Sequence, residues 1–348
     1  MIAVPSQEPD SRQLYTKIPQ NTQVGIDSGN GQLKLESSNG FSLKMPSILY
    51  FPHSDVTMGD IDQLSSYIVY EGGTRGDLLN KGWVVGREAY LLSPNSHIST
   101  SDDKESKVRY SLELLLGIVA HTIESEKVNL TVSISIHDKQ ALGKEIKTRI
   151  EGHHRIIANG RKTEVTVKMK DCVNEGVGAY FELITRKKFL PSQTVLLLDI
   201  GEGTIITSVF GNRQLKHRKS YPLGTSKLYQ NISNNVEMRR KLKGVTGNIQ
   251  LIKLGIERGD FIYGNNRKIS FNFKEIYNKE LMPWFSDSIY NVMASITDWM
   301  NEASHLFAIG GGVNLPGLKK GLENQHFEVL EQSDILNAKG LLKIAQRE

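Results

Sequence analysis

The phrase V-G-I-D-S-G-N-G at Val24–Gly31 returns in outline as L-L-L-D-I-G-E-G-T at Leu196–Thr204. Each is an apolar run suited to a buried strand, ends in an aspartate, and breaks at once into a glycine turn followed by more strand-like residues. Two such phrases about half a chain apart predict a duplication. The expected fold is α/β: two similar domains, each opening on a β-hairpin, with the two turns facing one ligand.

The residues of the phrases fix the chemistry such a ligand would need. Asp27 and Asp199 stand at strand ends beside the cleft. Gly29 and Gly31, like Gly201 and Gly203, are expected to take the positive φ of a hairpin turn and to offer main-chain N–H groups to phosphate oxygens. Ser28, Asn30, Glu202 and Thr204 complete the two loops. A carboxylate beside a polyphosphate is repelled unless a divalent cation or its water shell lies between, so the aspartates imply Mg. Lys34 supplies a point charge for the same phosphates, but strand alternation puts it on the face opposite Asp27 unless a turn or bulge intervenes. A third segment, L-F-A-I-G-G-G-V-N-L-P-G at Leu306–Gly317, is a strand breaking into Gly310, Gly311 and Gly312, followed by Asn314 and a helix start near Pro316. Its glycines would let backbone approach a flat ligand such as an adenine and its ribose.

In order and content these three segments resemble the actin, Hsp70 and sugar-kinase ATPase superfamily. Asp27, Gly29, Gly31 and Lys34 match the first phosphate loop of actin in spacing, and Asp199, Gly201, Glu202 and Gly203 match the second, where actin has an aspartate at the position of Glu202. V-N-E-G-V-G-A-Y at Val173–Tyr180 is similar to the connecting helix of the superfamily, which places Glu175 at the carboxylate or amide that orients the attacking water. Within the superfamily the chain resembles the bacterial plasmid-segregation actins, the ParM or StbA group. Its 348 residues are too few for the extra substrate domain of Hsp70. S-L-K-M-P-S-I at Ser42–Ile48 matches a Pro-Ser step of that group, and L-N-A-K-G-L-L-K-I-A at Leu336–Ala345 matches its closing phrase.

The resemblance implies an actin-like fold of two ribonuclease H-like domains flanking a nucleotide cleft, each with a smaller inserted subdomain. It implies ATP and Mg as ligands, slow ATP hydrolysis, and assembly into a homopolymeric filament. Such a filament would move plasmid or other DNA through a centromere-binding adaptor protein, touching the DNA only indirectly. Two alternatives stay open: a small-molecule kinase of the same superfamily, for which no convincing substrate-facing base is evident, and a non-polymerising ATP-dependent switch.

Composition narrows the rest. A single cysteine, Cys172, excludes an internal disulfide and fits a reducing, cytoplasmic setting. With Met169 and Val173 beside it, the thiol reads as buried and structural. No run approaches the ~20 apolar residues of a membrane span. The net charge of +5 gathers at Arg186–Lys188, Lys216–Lys219 and Arg239–Lys243. Without interleaved aromatics these read as solvated faces, not a nucleic-acid surface. His153 and His154 lack partners at metal-ligand spacing and read as surface residues, so zinc is not expected.

The organisation that follows is a disordered tail over 1–20, a first domain over 21–192 with an insertion at about 46–125, and a second over 193–334 with an insertion at about 231–280. A helix over 335–348 returns to close the first domain. The pattern predicts a helix over Val108 to Glu124, a strand over Asn129–Ile136, a helix over Lys139–Ile150 and an exposed strand over Thr163–Met169. In the second half it predicts a hairpin over Val195–Gly211 and a helix opened by Gly224 and running through Val236, with Thr225 or Ser226 as N-cap. Gly224 itself is a candidate ligand contact. Phe285–Met300 reads as one amphipathic helix.

Overall fold

The computed structural model describes residues 21–53, 64–100, 105–120, 125–187, 189–190, 192–264 and 270–347. The tail at 1–20, Lys188 and the expected final turn at 121–124 lie outside the described residues.

The first half runs β1 (Asn21–Ser28), β2 (Gln32–Ser37), β3 (Ser42–Pro46), β4 (Ile48–Tyr50), β5 (Ser65–Gly73), β6 (Gly82–Gly86), α1 (Arg87–Leu92), β7 (Ile98–Ser99), α2 (Ser106–Arg109), α3 (Ser111–Ala120), β8 (Lys127–Ile136), α4 (Lys139–Ile150), β9 (Gly152–Ala158), β10 (Arg161–Asn174) and α5 (Val177–Lys187). The second runs β11 (Val195–Ile200), β12 (Ile205–Gly211), β13 (Gln214–Tyr221), α6 (Thr225–Asn234), α7 (Val236–Lys241), α8 (Ile249–Glu257), β14 (Ile262–Tyr263), β15 (Phe271–Asn272), α9 (Lys274–Trp284), α10 (Asn291–Ala294), α11 (Thr297–Glu302), β16 (His305–Ile309), α12 (Leu318–Glu323), β17 (Glu328–Val329) and α13 (Leu336–Ala345).

The duplication is visible in the sheets. One contains the order β3-β2-β1-β8-β10 and the other is β13-β12-β11-β16-β17. In each, an antiparallel three-strand meander is joined by two parallel strands on the side of its first strand. The central strands β1 and β11 are flanked on both edges and largely buried, and β11 accordingly reads as a continuous apolar run. Both end at an aspartate on the same side of their sheet, so the two turns meet. The first sheet continues through β9, β5, β6, β4 and β7 into the inserted portion.

Two helices tie the halves. One face of α5 packs Ala179, Tyr180 and Leu183 against the second sheet, with Tyr180 stacked on Phe210 at 4.0 Å between ring centres. Its other side meets α13 through Val177 and Phe181. The helices cross so closely that a Cβ on Gly340 would lie 1.6 Å from the Gly178 carbonyl oxygen, a contact only glycine permits. Glu182 on α5 pairs with Lys343 on α13 at 2.8 Å.

Several expected elements differ. Thr163–Met169 is not a wholly exposed strand: it is the interior of β10, paired with β9 up to Val167 and with β8 from Glu164 onward, with Val165 and Val167 buried and Glu164 and Lys168 exposed. The helix expected from Val108 is two helices broken at Tyr110, and every residue of α3 is buried. Phe285–Met300 is not one helix, for the segment begins at Lys274. Pro283 deprives it of a backbone donor, Phe285–Tyr290 winds as a π-helix, and the chain breaks again at Ser295 and Ile296. The helix opened by Gly224 ends at Asn234. Asn235 turns the chain and caps α7 by accepting from the Glu237 N–H at 2.9 Å. His153 is exposed, but His154 is buried, with one ring nitrogen 2.9 Å from the Tyr70 hydroxyl and the other 3.1 Å from the Ile150 carbonyl.

Candidate functional site

Between the halves lies a cavity of about 630 Å³. The turns following β1 and β11 and the glycines following β16 form its polar wall: Gly29, Asn30 and Gly31 from the first, Gly201, Glu202 and Thr204 from the second, Gly310, Gly311, Gly312 and Asn314 from the third. Asp27, Lys34, Glu175 and Asp199 line it as well. Ser28, Gly203 and Gly224 do not: Ser28 is buried, and the two glycines serve loop packing.

The glycines work differently from the expectation. None of Gly29, Gly31, Gly201 and Gly203 adopts a positive φ. Proximity is what two of them answer, because the two turns interlock: a Cβ on Gly31 would lie 2.0 Å from Glu202 Oε2, and one on Gly203 would lie 2.4 Å from Asn30 Nδ2, whereas one on Gly29 or Gly201 would meet the Gln32 or Thr204 carbonyl of its own turn at 2.7 or 3.1 Å. Gly310 alone among the loop glycines has the left-handed backbone, at φ +91°, and a Cβ there would lie 2.3 Å from Asp199 Oδ1.

Each turn is braced by protein donors on its carbonyl side. Ser47 Oγ donates to the Gly29 carbonyl at 2.7 Å, the Ser47 N–H to Gly31 at 3.1 Å, and Thr100 Oγ1 to Asn30 at 3.0 Å. The Pro46-Ser47 step therefore acts as a buttress. In the second turn the carbonyls of Gly201 and Glu202 accept from the Thr225 and Ser226 N–H groups, at 3.1 and 2.9 Å. Thr225 and Ser226 thus do not cap α6. Gly224 occupies the N-cap, and the first helix donors are satisfied by the loop itself. A Cβ on Gly224 would sit 2.2 Å from the Glu202 carbonyl oxygen.

The hairpin settles the position of Lys34. Asp27 and Lys34 are directly opposed across the β1–β2 pair, so they share a face, and Lys34 Nζ is 3.5 Å from Asp27 Oδ2. Asp27 Oδ1 accepts from Asn337 Nδ2 at 2.9 Å and from Ser135 Oγ at 3.3 Å. Asn337 also donates to Ser135 and accepts from the Ala179 N–H, so one side chain on α13 joins β1, β8 and α5.

Glu175 does not lie on the connecting helix. It occupies the turn between β10 and α5, 13 % exposed in its side chain, held by Lys107 Nζ at 2.9 Å on Oε1 and Arg218 Nη2 at 2.8 Å on Oε2. Burial pushes its carboxyl up, but Lys107 and Arg218 outweigh burial and hold it below the usual carboxylate range. Asp199 is the opposite case. Burial, reinforced by Asp27 and Glu175 and opposed by Lys34 and Lys107, pushes it up to about 6. A desolvated carboxylate crowded by two others is an environment that a cation relieves. Among the described residues no three His, Cys, Asp or Glu side chains form a metal-ligand group, so a metal here would draw on water and phosphate oxygens, as Mg commonly does. The residues present fit that ion.

Lys107, Arg218, Lys253 and Asn337 are functional candidates that sequence reasoning misses. Arg218 lies in the cluster Lys216–Lys219, yet it is turned inward and only 15 % exposed, unlike a solvated charge. Lys253 on α8 grips both oxygens of Glu202 at 2.7–2.8 Å. Of these, only Asn337 stood in a phrase with a readable signal, L-N-A-K-G. Burial pushes the Cys172 thiol up to about 11, which keeps it protonated and structural. No helix among the described residues is long and apolar enough to cross a membrane.

Comparison with known proteins agrees with this fold. Residues 25–178 match the family of actin like proteins, N-terminal domain. No curated protein matches the chain in sequence. Among solved structures, an archaeal actin homologue superposes with a TM-score of 0.75 at 16% identity, covering 94% of this chain and 100% of that one. Bacillus thuringiensis ParM with ATP gives 0.65 at 18% identity, covering 93% and 98%. A 15-stranded ParM filament from Clostridium botulinum gives 0.64 at 16%, covering 94% and 99%. The chain thus has the actin-like fold, and its residues 25–178 match the N-terminal domain of the actin like proteins.

Proposed function

We propose that the chain binds Mg-ATP in the cleft, hydrolyses it slowly, and couples the nucleotide state to assembly and turnover of a filament of its own copies. The observation that carries this reading is the meeting of two like turns and a third glycine turn around Asp27, Asp199 and Glu175 in one cavity. Structures of the same fold held with ATP and assembled as a filament support it. The first and second loops and Lys34 would hold the phosphates. Asp27 and Asp199 would hold the water shell of Mg, which when bound neutralises phosphate charge. Glu175 would orient the attacking water. With both oxygens on cations and its carboxyl held low, it suits orientation better than proton removal. Gln250, Leu251, Lys253 and Leu254 of α8 also line the cavity.

By the same reading the filament moves plasmid or other DNA through an adaptor bound at a centromere-like site. The experiment for the cleft is nucleotide binding and phosphate release by wild type, E175A and E175Q. Binding of a fluorescent ATP analogue is expected to survive both substitutions, and phosphate release to fall by roughly 10²–10³-fold. Unchanged release removes Glu175 from the site. Transfer of the phosphate to a sugar instead of water identifies a kinase.

A further inference from the structure

Arg218 lies on β13 in the second half, but its guanidinium reaches into the first. Nη2 donates to Glu175 Oε2 at 2.8 Å, and Nη1 donates to the His137 carbonyl at 2.9 Å, just beyond the end of β8. Nε is buried without a partner, so the side chain forgoes one hydrogen bond to make these two. Nearby, Gly176 presses against Ser208 of β12, where an added Cβ would lie 2.9 Å from the hydroxyl oxygen. The other Glu175 oxygen is held from within the first half by Lys107, whose side chain is 9 % exposed and lines the cavity. One carboxylate is therefore gripped from both sides of the cleft by two largely buried cations.

We infer that Arg218 is a positioning residue that places Glu175 for water orientation only when the two halves are closed, and that it latches the halves through Glu175 and the His137 carbonyl. The inference rests on the reading of Glu175 as the water-orienting carboxylate. If the halves rotate apart, Arg218 leaves with β13 and takes both donors with it. Glu175 then keeps Lys107 alone and loses one of the two restraints on its rotamer. Hydrolysis is thereby confined to the closed cleft, without any direct contact between Arg218 and nucleotide: Arg218 does not line the cavity.

The groups facing Glu175 are Lys107 from α2, Arg218 from β13, His137 from the loop after β8, and the Asp199 carboxyl from β11. Removing Arg218 leaves burial and Asp199 opposed by Lys107 and His137 only, so the Glu175 carboxyl must rise. Because a protonated Glu175 cannot accept a hydrogen bond from water in the same way, the acid limb of the hydrolysis rate must move to higher pH.

The test uses the full chain, with wild type and E175Q measured first. If wild type does not bind Mg-ATP, or E175Q hydrolyses normally, the reading of the cleft fails before Arg218 is reached. Given those controls, R218Q is expected to bind the fluorescent ATP analogue within roughly 3-fold of wild type, to release phosphate roughly 10-fold or more slowly, and to show an acid limb displaced to higher pH. Small-angle scattering of nucleotide-free R218Q should give a larger radius of gyration than wild type. A wild-type rate and limb in R218Q would overturn the inference, as would loss of binding and rate together with an unmoved limb. If R218Q does not fold, R218K decides: a lysine keeps the charge but lacks the planar fork whose two nitrogens serve the two acceptors, so an intermediate rate with the limb near its wild-type position supports the latch, and a full wild-type rate contradicts it.

Discussion

Asp199 carries the clearest electrostatic cost among the carboxylates of the cleft. Its folded carboxyl sits at about 6 against an ordinary 3.8, so the folded state holds the proton more tightly than the unfolded chain does. The sign follows: stability falls as pH rises from about 4 to about 6 and stays lower above. D199N removes that cost. Nucleotide-free D199N is expected to be more stable than wild type at pH 7.5 by about 1–2 kcal/mol in urea unfolding, with the gain gone near pH 4. The same substitution should weaken Mg-dependent nucleotide binding by at least about tenfold. A destabilised D199N at pH 7.5 would show that Asp199 is structural. The carboxylates were legible because each ends an apolar run before glycine. Lys107 and Arg218 were not, because a lysine or arginine in a charged stretch carries no mark that it turns inward, and only the packed fold shows what it meets.

At the scale of elements, the contact of α5 with α13 decides whether the halves stay joined. G340A drives a Cβ to 1.6 Å from the Gly178 backbone, which neither helix can yield without parting. A loss of roughly 3 kcal/mol or more, or failure to fold, is expected in urea unfolding. G143A inside α4 is the contrast: its Cβ meets nothing closer than 3.6 Å and the helix gains propensity, so stability should rise by about 0.5–1 kcal/mol. Glu182, buried between Lys343 and Arg186, is raised by burial but held low on balance by those two cations, so its contribution is present above the ordinary carboxylate range and lost as pH falls below it. Strands with clear alternation and helices with a clean stripe were readable, as at Lys139–Ile150. The failures have local causes. Pro283 and the π-helix after it shift a helix that apolar spacing alone would start at Phe285. Carbonyls of a neighbouring turn satisfy the start of α6, where sequence logic looks for a hydroxyl. The β10 segment reads as exposed because its polar alternation hides the strands that flank it on both edges.

For the whole molecule, the repeated phrase was enough to foresee two like sheets and a shared cleft, because burial of a central strand and a turn at its end are both written in local sequence. What binds the halves was written less plainly: it depends on α5, α13 and the Arg218–Glu175 contact, which join residues far apart in the chain. A nucleotide that bridges the two turns would bias the angle between the halves, and that angle would set whether copies fit one another in a polymer. The most direct test is high-speed sedimentation of the purified protein across a concentration series with Mg-ATP, with Mg-GTP and without nucleotide. A pellet that requires nucleotide and appears only above a critical concentration is the predicted result, and it identifies the base used. A folded protein that binds nucleotide yet stays in the supernatant under every condition would contradict the filament and leave a kinase or a monomeric switch on the same fold.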